Sequence, residues 1–471
     1  MTANGNSAAM GKAAACRTNA YIIDALFAKR AMDHQRHVYR NRRDALLRQM
    51  RAQSGGGIAL VPTAPEVARN RDSHFPYRHD SYFYYLTGFA EPEAVVALVA
   101  DPDGERQLLF CRPKNEEREI WDGFRYGPDA AREIFDFDVA YSIAELGEKL
   151  PDLLCDQPAV YTPLGLFADW DKRITDALND VRNRARLGVA APSEIVDVRD
   201  ALDEMRLLKD PHEIALMRRA NAISSAAHRR AMAATRPGWY EYQVEAELVH
   251  EFLREGAQAV AYPSIVAGGP NACILHYRDN NRQLQDGELL LIDAGCEYHG
   301  YASDITRTFP VNGRFSAAQK DVYELVLAAQ RACIEAVKPG AEFHDYHKVA
   351  ERVLAQGFID LGLISGPLDA ALESGSHKQF YMHRAGHWLG MDVHDAGRYQ
   401  LKGESQKLEP GMVLTVEPGA YIRRADNVPE AFWDIGVRIE DDVLVTESGI
   451  ENLTAAAPKT VADVEAACGA R

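Results

Sequence analysis

Two aspartates separated by a short hairpin-like segment pose the first chemical question. In GELLLIDAGCEYHGYASDITRTFPV, Leu289 to Ile292 form an apolar run, Tyr298 to Gly300 supply a turn, and Ser303 to Phe309 alternate as a strand. With the turn centred near Tyr298 and His299, Asp293 and Asp304 are expected directly opposite each other. Opposed residues in an antiparallel pair hold their Cβ atoms about 4.5–5.5 Å apart. Two carboxylates that close, with apolar flanks keeping water away, either take up a proton or share a cation.

A second acid pair is expected on strands near the C-terminus. In VLTVEPG, Leu414 and Val416 point one way while Thr415 and Glu417 point the other; in GVRIEDDVLV, Val437 and Ile439 share one face and Arg438 and Glu440 the opposite one. Alone, Glu440 in its Glu-Asp-Asp run reads equally well as an acidic strand end. Glu417, between an apolar strand and Pro-Gly, needs a partner. Between these acids lies MHRAGHWLGMDVHD, with His383, His387 and His394 among large apolar groups. Gly386 and Gly390 argue for loop and strand, so His383 and His387 are not read as a zinc pair on one helix face. Four carboxylates and one imidazole can make two adjacent cation sites with bridging oxygens. Oxygen-rich coordination favours Mn²⁺, with Co²⁺, Fe²⁺ or Zn²⁺ as alternatives. Paired ions stand about 3.5–4 Å apart and turn a bridging water into hydroxide near neutral pH.

These residues must be positioned by a chain of 471 residues, 46% hydrophobic, enough for two domains. After a basic amphipathic helix from about Gln35 to Met50 come strand-like runs (GGGIALVPT, AVVALVAD, RQLLFCRP) alternating with helices over Ser142 to Leu154 and Asp169 to Val181. That alternation predicts an α/β domain. A boundary is expected near Asp203, before a long helix whose start is marked by Asp210-Pro211 with Glu213 three residues beyond Asp210. Further helices (Glu241 to Glu255, Ala317 to Val337, His344 to Leu361) and several hairpins make the second half α+β. Residues 1–35 read as a disordered extension or an over-long start, with Met10 or Met32 as alternative first residues.

Composition removes whole classes of function. The net charge of −16 disfavours nucleic acid and anionic membrane surfaces as partners. No apolar run approaches the roughly 20 residues that span a bilayer. The seven scattered cysteines contain no Cys-x-x-Cys pair, which argues against a disulfide framework and for a reducing, cytoplasmic setting.

The four segments LIDAGCEYHGYASDITRTFPV, MHRAGHWLGMDVHDAGRY, GMVLTVEPGAYI and GVRIEDDVLVTESGIENLT resemble the metal-binding motifs of the pita-bread metallopeptidases. Within that group the chain is most similar to the aminopeptidase P family, and EVARNRDSHFPYRHDSYFYYLTGFAEPEAVVALV resembles that family's N-terminal domain. The resemblance implies an α/β N-terminal domain over residues 36–203 followed by an α+β pita-bread catalytic domain over residues 204–471. It implies a dinuclear enzyme that releases the first residue of peptides with proline second, through a hydroxide bridging two metal ions. On the matching positions, Asp293 would bind the first ion, Asp304 and Glu440 would bridge, and His387 and Glu417 would complete the second site. Glu417 would also shuttle a proton, and His383 and His394 would hold the scissile carbonyl and its oxyanion. His276 would line the substrate site, Arg438 would support the Glu440 strand, and Trp121 would help form a hydrophobic wall for proline. A homo-oligomer, dimer or tetramer, is implied because N-domain loops in the family reach a neighbouring subunit's site. Arg384 and Ala385 separate His383 from Gly386, where small or glycine residues are commoner. The rival readings are prolidase, which shares the fold and all five ligands, and a non-catalytic peptide-binding module, which would usually have lost ligands.

Overall fold

The computed structural model describes residues 36–102 and 104–469. The expected N-terminal extension, residues 1–35, lies outside them. Contacts divide the chain into two units, with the division between Leu202 and Asp203.

The first unit is organised around one mixed sheet. Its strands are β1 (Gly57–Pro62), β2 (Val95–Asp101), β3 (Gly104–Cys111), β4 (Val139–Ser142), β5 (Ala159–Thr162) and β6 (Glu194–Asp197), in the order β4-β3-β2-β1-β5-β6. The three central strands β3, β2 and β1 run antiparallel, whereas β4, β5 and β6 each lie parallel to their inner neighbour. Strand β1 (GIALVP) is apolar along its length because it is buried on both faces. Helices Leu146–Leu154 and Ala168–Asn183 cover one face, where Leu150, Trp170 and Ile174 share a buried cluster with Ile58, Leu60, Val95 and Val99.

The helix expected from Ser142 begins later. Ser142 ends β4 and caps a single 3₁₀ turn (Ile143–Glu145) before the α-helix starts at Leu146. Of the aromatic cluster at 75–89, Phe83, Tyr85 and Phe89 are core residues, while Phe75 is exposed.

In the second unit the helix Pro211–Ala234 starts at the expected place. The Asp210 carboxylate accepts from His212 N and Glu213 N, and Glu213 accepts from Asp210 N, a reciprocal cap. Helices Glu241–Arg254, Ala317–Ala336 and Asp345–Asp360 also form where apolar periodicity predicts them. The strands are β7 (Ala259–Val260), β8 (Ile265–Gly268), β9 (Leu289–Asp293), β10 (Cys296–Tyr298), β11 (Tyr301–Ala302), β12 (Thr306–Pro310), the short pair β13 (Gln400–Leu401) and β14 (Glu404–Ser405), β15 (Val413–Val416), β16 (Gly419–Ile422), β17 (Ile435–Arg438), β18 (Asp441–Thr446) and β19 (Gly449–Asn452).

Two local expectations are corrected. The hairpin turns at His299-Gly300, both at positive φ, one residue later than expected, and Tyr298 pairs with Tyr301. Asp293 therefore faces Thr306, not Asp304. A one-residue shift of the turn moves the register by two, so Asp304 keeps the same face as Asp293. The crossing between the two hairpin halves is tight enough that a Cβ on Gly295 would stand 1.7 Å from the Ser303 carbonyl oxygen.

The two C-terminal strands are also not continuous. Residues 412–422 break into β15 and β16 at Glu417-Pro418, and residues 435–445 break into β17 and β18 at Ile439-Glu440. Pro418 has no N–H to give a ladder, and Glu440 N donates instead to Thr306 O at 3.1 Å. Both breaks fall where the strands change partners, with β16 on β17 and β15 on β18.

Candidate metal centre

These breaks place two glutamates against the Asp293–Asp304 hairpin. Thr306, opposite Asp293, donates its hydroxyl to Glu440 Oε2 at 2.6 Å. Arg438 donates to Asp293 Oδ2 at 2.5 Å, to Thr306 Oγ1 at 3.1 Å and to Tyr421 Oη at 3.0 Å. The Tyr262 hydroxyl lies 2.7 Å from Asp293 Oδ1 and 2.5 Å from Asp304 Oδ1. It has one proton, so it satisfies only one of the two at a time.

His387 arrives on a segment that runs alongside β15. Leu389 N bonds to Val413 O, Thr415 N to His387 O, and Glu417 N to Ala385 O. The approach is so close that a Cβ on Gly386 would stand 2.0 Å from the Thr415 carbonyl oxygen. Glycine is therefore required there. Nδ1 of His387 contacts Trp388 O at 2.9 Å, which turns Nε2 towards the acids. Nε2 lies 3.5 Å from both Asp304 Oδ2 and Glu417 Oε1. One ligand atom each from Asp304, His387 and Glu440 fall within 4.8 Å of one another. All five groups line one cavity of about 730 Å³, together with His276, His383 and His394.

The charges in this cavity conflict. Burial, then the Asp293 carboxylate, pushes Asp304 up. Burial raises Glu417 to about 7 against the attraction of His387 and Arg438. Burial, followed by Asp304, Glu417 and Asp293, lifts Glu440 well above the carboxylate range. His387 is raised to about 9 although its burial acts the other way, because Asp304 and Glu417 favour the imidazolium. Carboxylates crowded in this way are stable together only with protons or a cation among them. A hard-oxygen cluster with one imidazole suits a divalent first-row ion, so the residues fit the metal that the motifs imply.

Comparison with known proteins decides the family. The profile of metallopeptidase family M24 matches residues 215–447, and that of the aminopeptidase P N-terminal domain matches residues 39–161. An Xaa-Pro aminopeptidase of Escherichia coli (strain K12) is 45% identical over 432 residues, covering 92% of this chain and 97% of its own. The chain belongs to the aminopeptidase P family of M24 metallopeptidases. The structure of an aminopeptidase from Pseudomonas aeruginosa matches with a TM-score of 0.90 at 49% identity, over 92% of this chain and 98% of that one. Zn-substituted E. coli aminopeptidase P in complex with product matches at 0.89 and 45% identity, with the same coverage of 92% and 98%. The chain is accordingly a metallopeptidase, and its two-domain α/β and pita-bread architecture is the one expected.

Most of the aminopeptidase P positions named from the motifs meet in the cavity. His383 is held at both ring nitrogens, Nε2 by Tyr421 Oη at 2.8 Å and Nδ1 by Arg384 O at 2.7 Å. Burial, then the Arg438 charge, lowers it to about 3. Burial and the neighbouring His387 lower His394 to about 4. His276 is exposed at the cavity wall. Trp121 belongs to the first unit, on the short helix Glu116–Asp122, and is 83% exposed. Sequence reasoning missed Tyr262, Tyr421 and Thr306. A tyrosine before Pro263 was the only local sign of Tyr262, and nothing in its neighbourhood indicates which acids it would meet.

Proposed function

We propose that the chain removes the N-terminal residue from peptides with proline in second position. The observation that carries this reading is the convergence of Asp293, Asp304, His387, Glu417 and Glu440 in one cavity with His276, His383 and His394. It is supported by the name of the E. coli relative, Xaa-Pro aminopeptidase, and by the solved complex of E. coli aminopeptidase P with the inhibitor Pro-Leu. Pro-Leu is what remains when the first residue leaves Xaa-Pro-Leu.

In this reading Asp293 would hold one divalent ion, His387 and Glu417 would hold a second, and Asp304 and Glu440 would serve both. Mn²⁺ is the preferred ion on ligand chemistry. When bound, the pair supplies Lewis acidity and a hydroxide at neutral pH. The remaining work falls to side chains. Glu417 accepts a proton at its carboxylate and passes it to the proline nitrogen as the imide bond opens. His394 donates an N–H to the oxyanion, and His383 does so with the Nδ1 N–H that it otherwise gives to Arg384 O. Tyr262 and Arg438 hold Asp293 and Asp304 in place. We further propose a cytoplasmic homo-oligomer, dimer or tetramer, in which exposed Trp121 helps form the hydrophobic wall for proline.

The test is to strip the protein of metal, restore Mn²⁺, and follow an Xaa-Pro-Yaa tripeptide beside its Xaa-Pro dipeptide. Metal-dependent release of Xaa chiefly from the tripeptide is expected. Preference for the dipeptide would move the assignment to prolidase, and no cleavage with any divalent metal would leave a peptide-binding module.

A further inference from the structure

The cavity is not uniformly acidic. Besides the carboxylates it is lined by three arginines, Arg278, Arg384 and Arg438. Arg438 is buried and paired with Asp293. Arg278 and Arg384 are exposed, and among the described residues neither guanidinium makes a hydrogen bond or an ion pair. Some exposed arginines of this unit are answered by acids, Arg218 by Glu451, Arg219 by Glu255 and Arg314 by Glu465, while others, such as Arg229 and Arg423, bond to backbone carbonyls. What sets Arg278 and Arg384 apart is their place: in a chain with a surplus of 16 negative charges, both line the cavity that holds the acids. Arg384 is also firmly placed. Its carbonyl contacts His383 Nδ1 at 2.7 Å, and the residues that follow it are paired with β15.

The cavity volume of about 730 Å³ lies in the usual small-ligand range. A peptide whose amino terminus approaches the acids directs its other end outward, and an extended tripeptide spans roughly 10 Å. A guanidinium at the mouth then meets whatever anion that end carries, as a two-pronged partner for a carboxylate. We infer that Arg384, assisted by Arg278, recognises a carboxylate on the part of the peptide beyond proline. This rests on the proposed function and deepens it. The carboxylate has two sources, the free C-terminus of a short peptide or an acidic side chain.

The experiment compares Xaa-Pro-Ala with its C-terminal amide, and Xaa-Pro-Glu amide with Xaa-Pro-Gln amide, on the Mn²⁺ enzyme and on Arg384→Gln, Arg384→Lys and Arg278→Gln. For an exposed charge pair, an advantage in kcat/KM of about three- to fivefold is expected, carried in KM and shrinking with added salt. Acid over amide identifies the C-terminus; Glu over Gln identifies the side chain. Arg384→Gln should remove the ratio, and Arg384→Lys should keep part of it. No advantage in the unaltered enzyme, or an advantage unchanged in an Arg384→Gln/Arg278→Gln double variant, would overturn the inference. Absence of turnover with every peptide would instead count against the proposed function. Calorimetric binding of Pro-Ala against its amide then reads the discrimination separately, and equal affinities would overturn it.

Discussion

Glu440 and Asp441 are consecutive, both buried, and electrostatic opposites. Asp441 has a complete set of partners: Arg307 and Thr454 on Oδ1, and Gln330, Asn452 and Lys459 on Oδ2. Burial pushes its carboxyl up, but Arg307 and Lys459 outweigh that and hold it far below the usual range. Glu440 accepts from Thr306 and faces other acids, so burial and those charges drive its carboxyl the other way. Arg307 ties the two regions together by also donating to the Glu440 and Thr306 carbonyls at 2.5 and 2.9 Å. A buried carboxylate whose charge is answered by the chain is architecture; one left unanswered by the chain is a place for something else.

That contrast is open to three tests. The largest effect is expected from Asp304→Ala, which removes a carboxylate from the unanswered side. Its kcat/KM should fall by more than the about 10–100-fold typical of outer partners of a metal site. Elemental analysis should show bound metal lost, and the metal-free melting temperature should not fall, because a repulsive charge has gone. Metal-free destabilisation of several degrees would show that Asp304 belongs with Asp441.

Next comes Asp441→Asn, which strands Arg307 and Lys459 in a buried setting. Breaking such a pair costs about 3–5 kcal/mol, to be read from denaturant midpoints with metal present. A change in activity without a change in midpoint would remove the contrast. The smallest effect is in pH. Glu417, raised by burial to about 7, binds its proton more tightly folded than unfolded, where a glutamate titrates near 4.3. Its favourable term is full below that unfolded value and is lost as pH rises through about 7. His387, raised to about 9, acts in the same direction. Stability from the depressed Asp441, and from Asp395, where burial is outweighed by Lys209 and Arg206, is instead lost as pH falls. Metal-stripped protein should therefore melt lower at pH 8.5 than at pH 6, and saturating Mn²⁺ should flatten that slope.

Much of this was legible in the residues. The Asp210–Glu213 cap, the helix periodicities and the apolar alternation around Glu417 and Glu440 are local patterns, and local patterns survive folding. The His299-Gly300 turn was displaced by one residue because His299 takes a positive φ that its residue type does not advertise. The strand breaks at Pro418 and Glu440 were hidden for another reason. Alternation reports which face a side chain takes, not which strand its backbone pairs with. The bond from Glu440 N to Thr306 O and the partners of Asp441 are long-range, and so were invisible.

The strand breaks also bear on how the protein is made. The proposed ligands come from a hairpin, a segment beside β15 and two strand ends that meet only when the second unit has formed. An unfolded chain thus offers a divalent ion no comparable site, and binding adds to the native state alone. Metal supply during synthesis should then set how much folded enzyme accumulates, before it sets how fast that enzyme works.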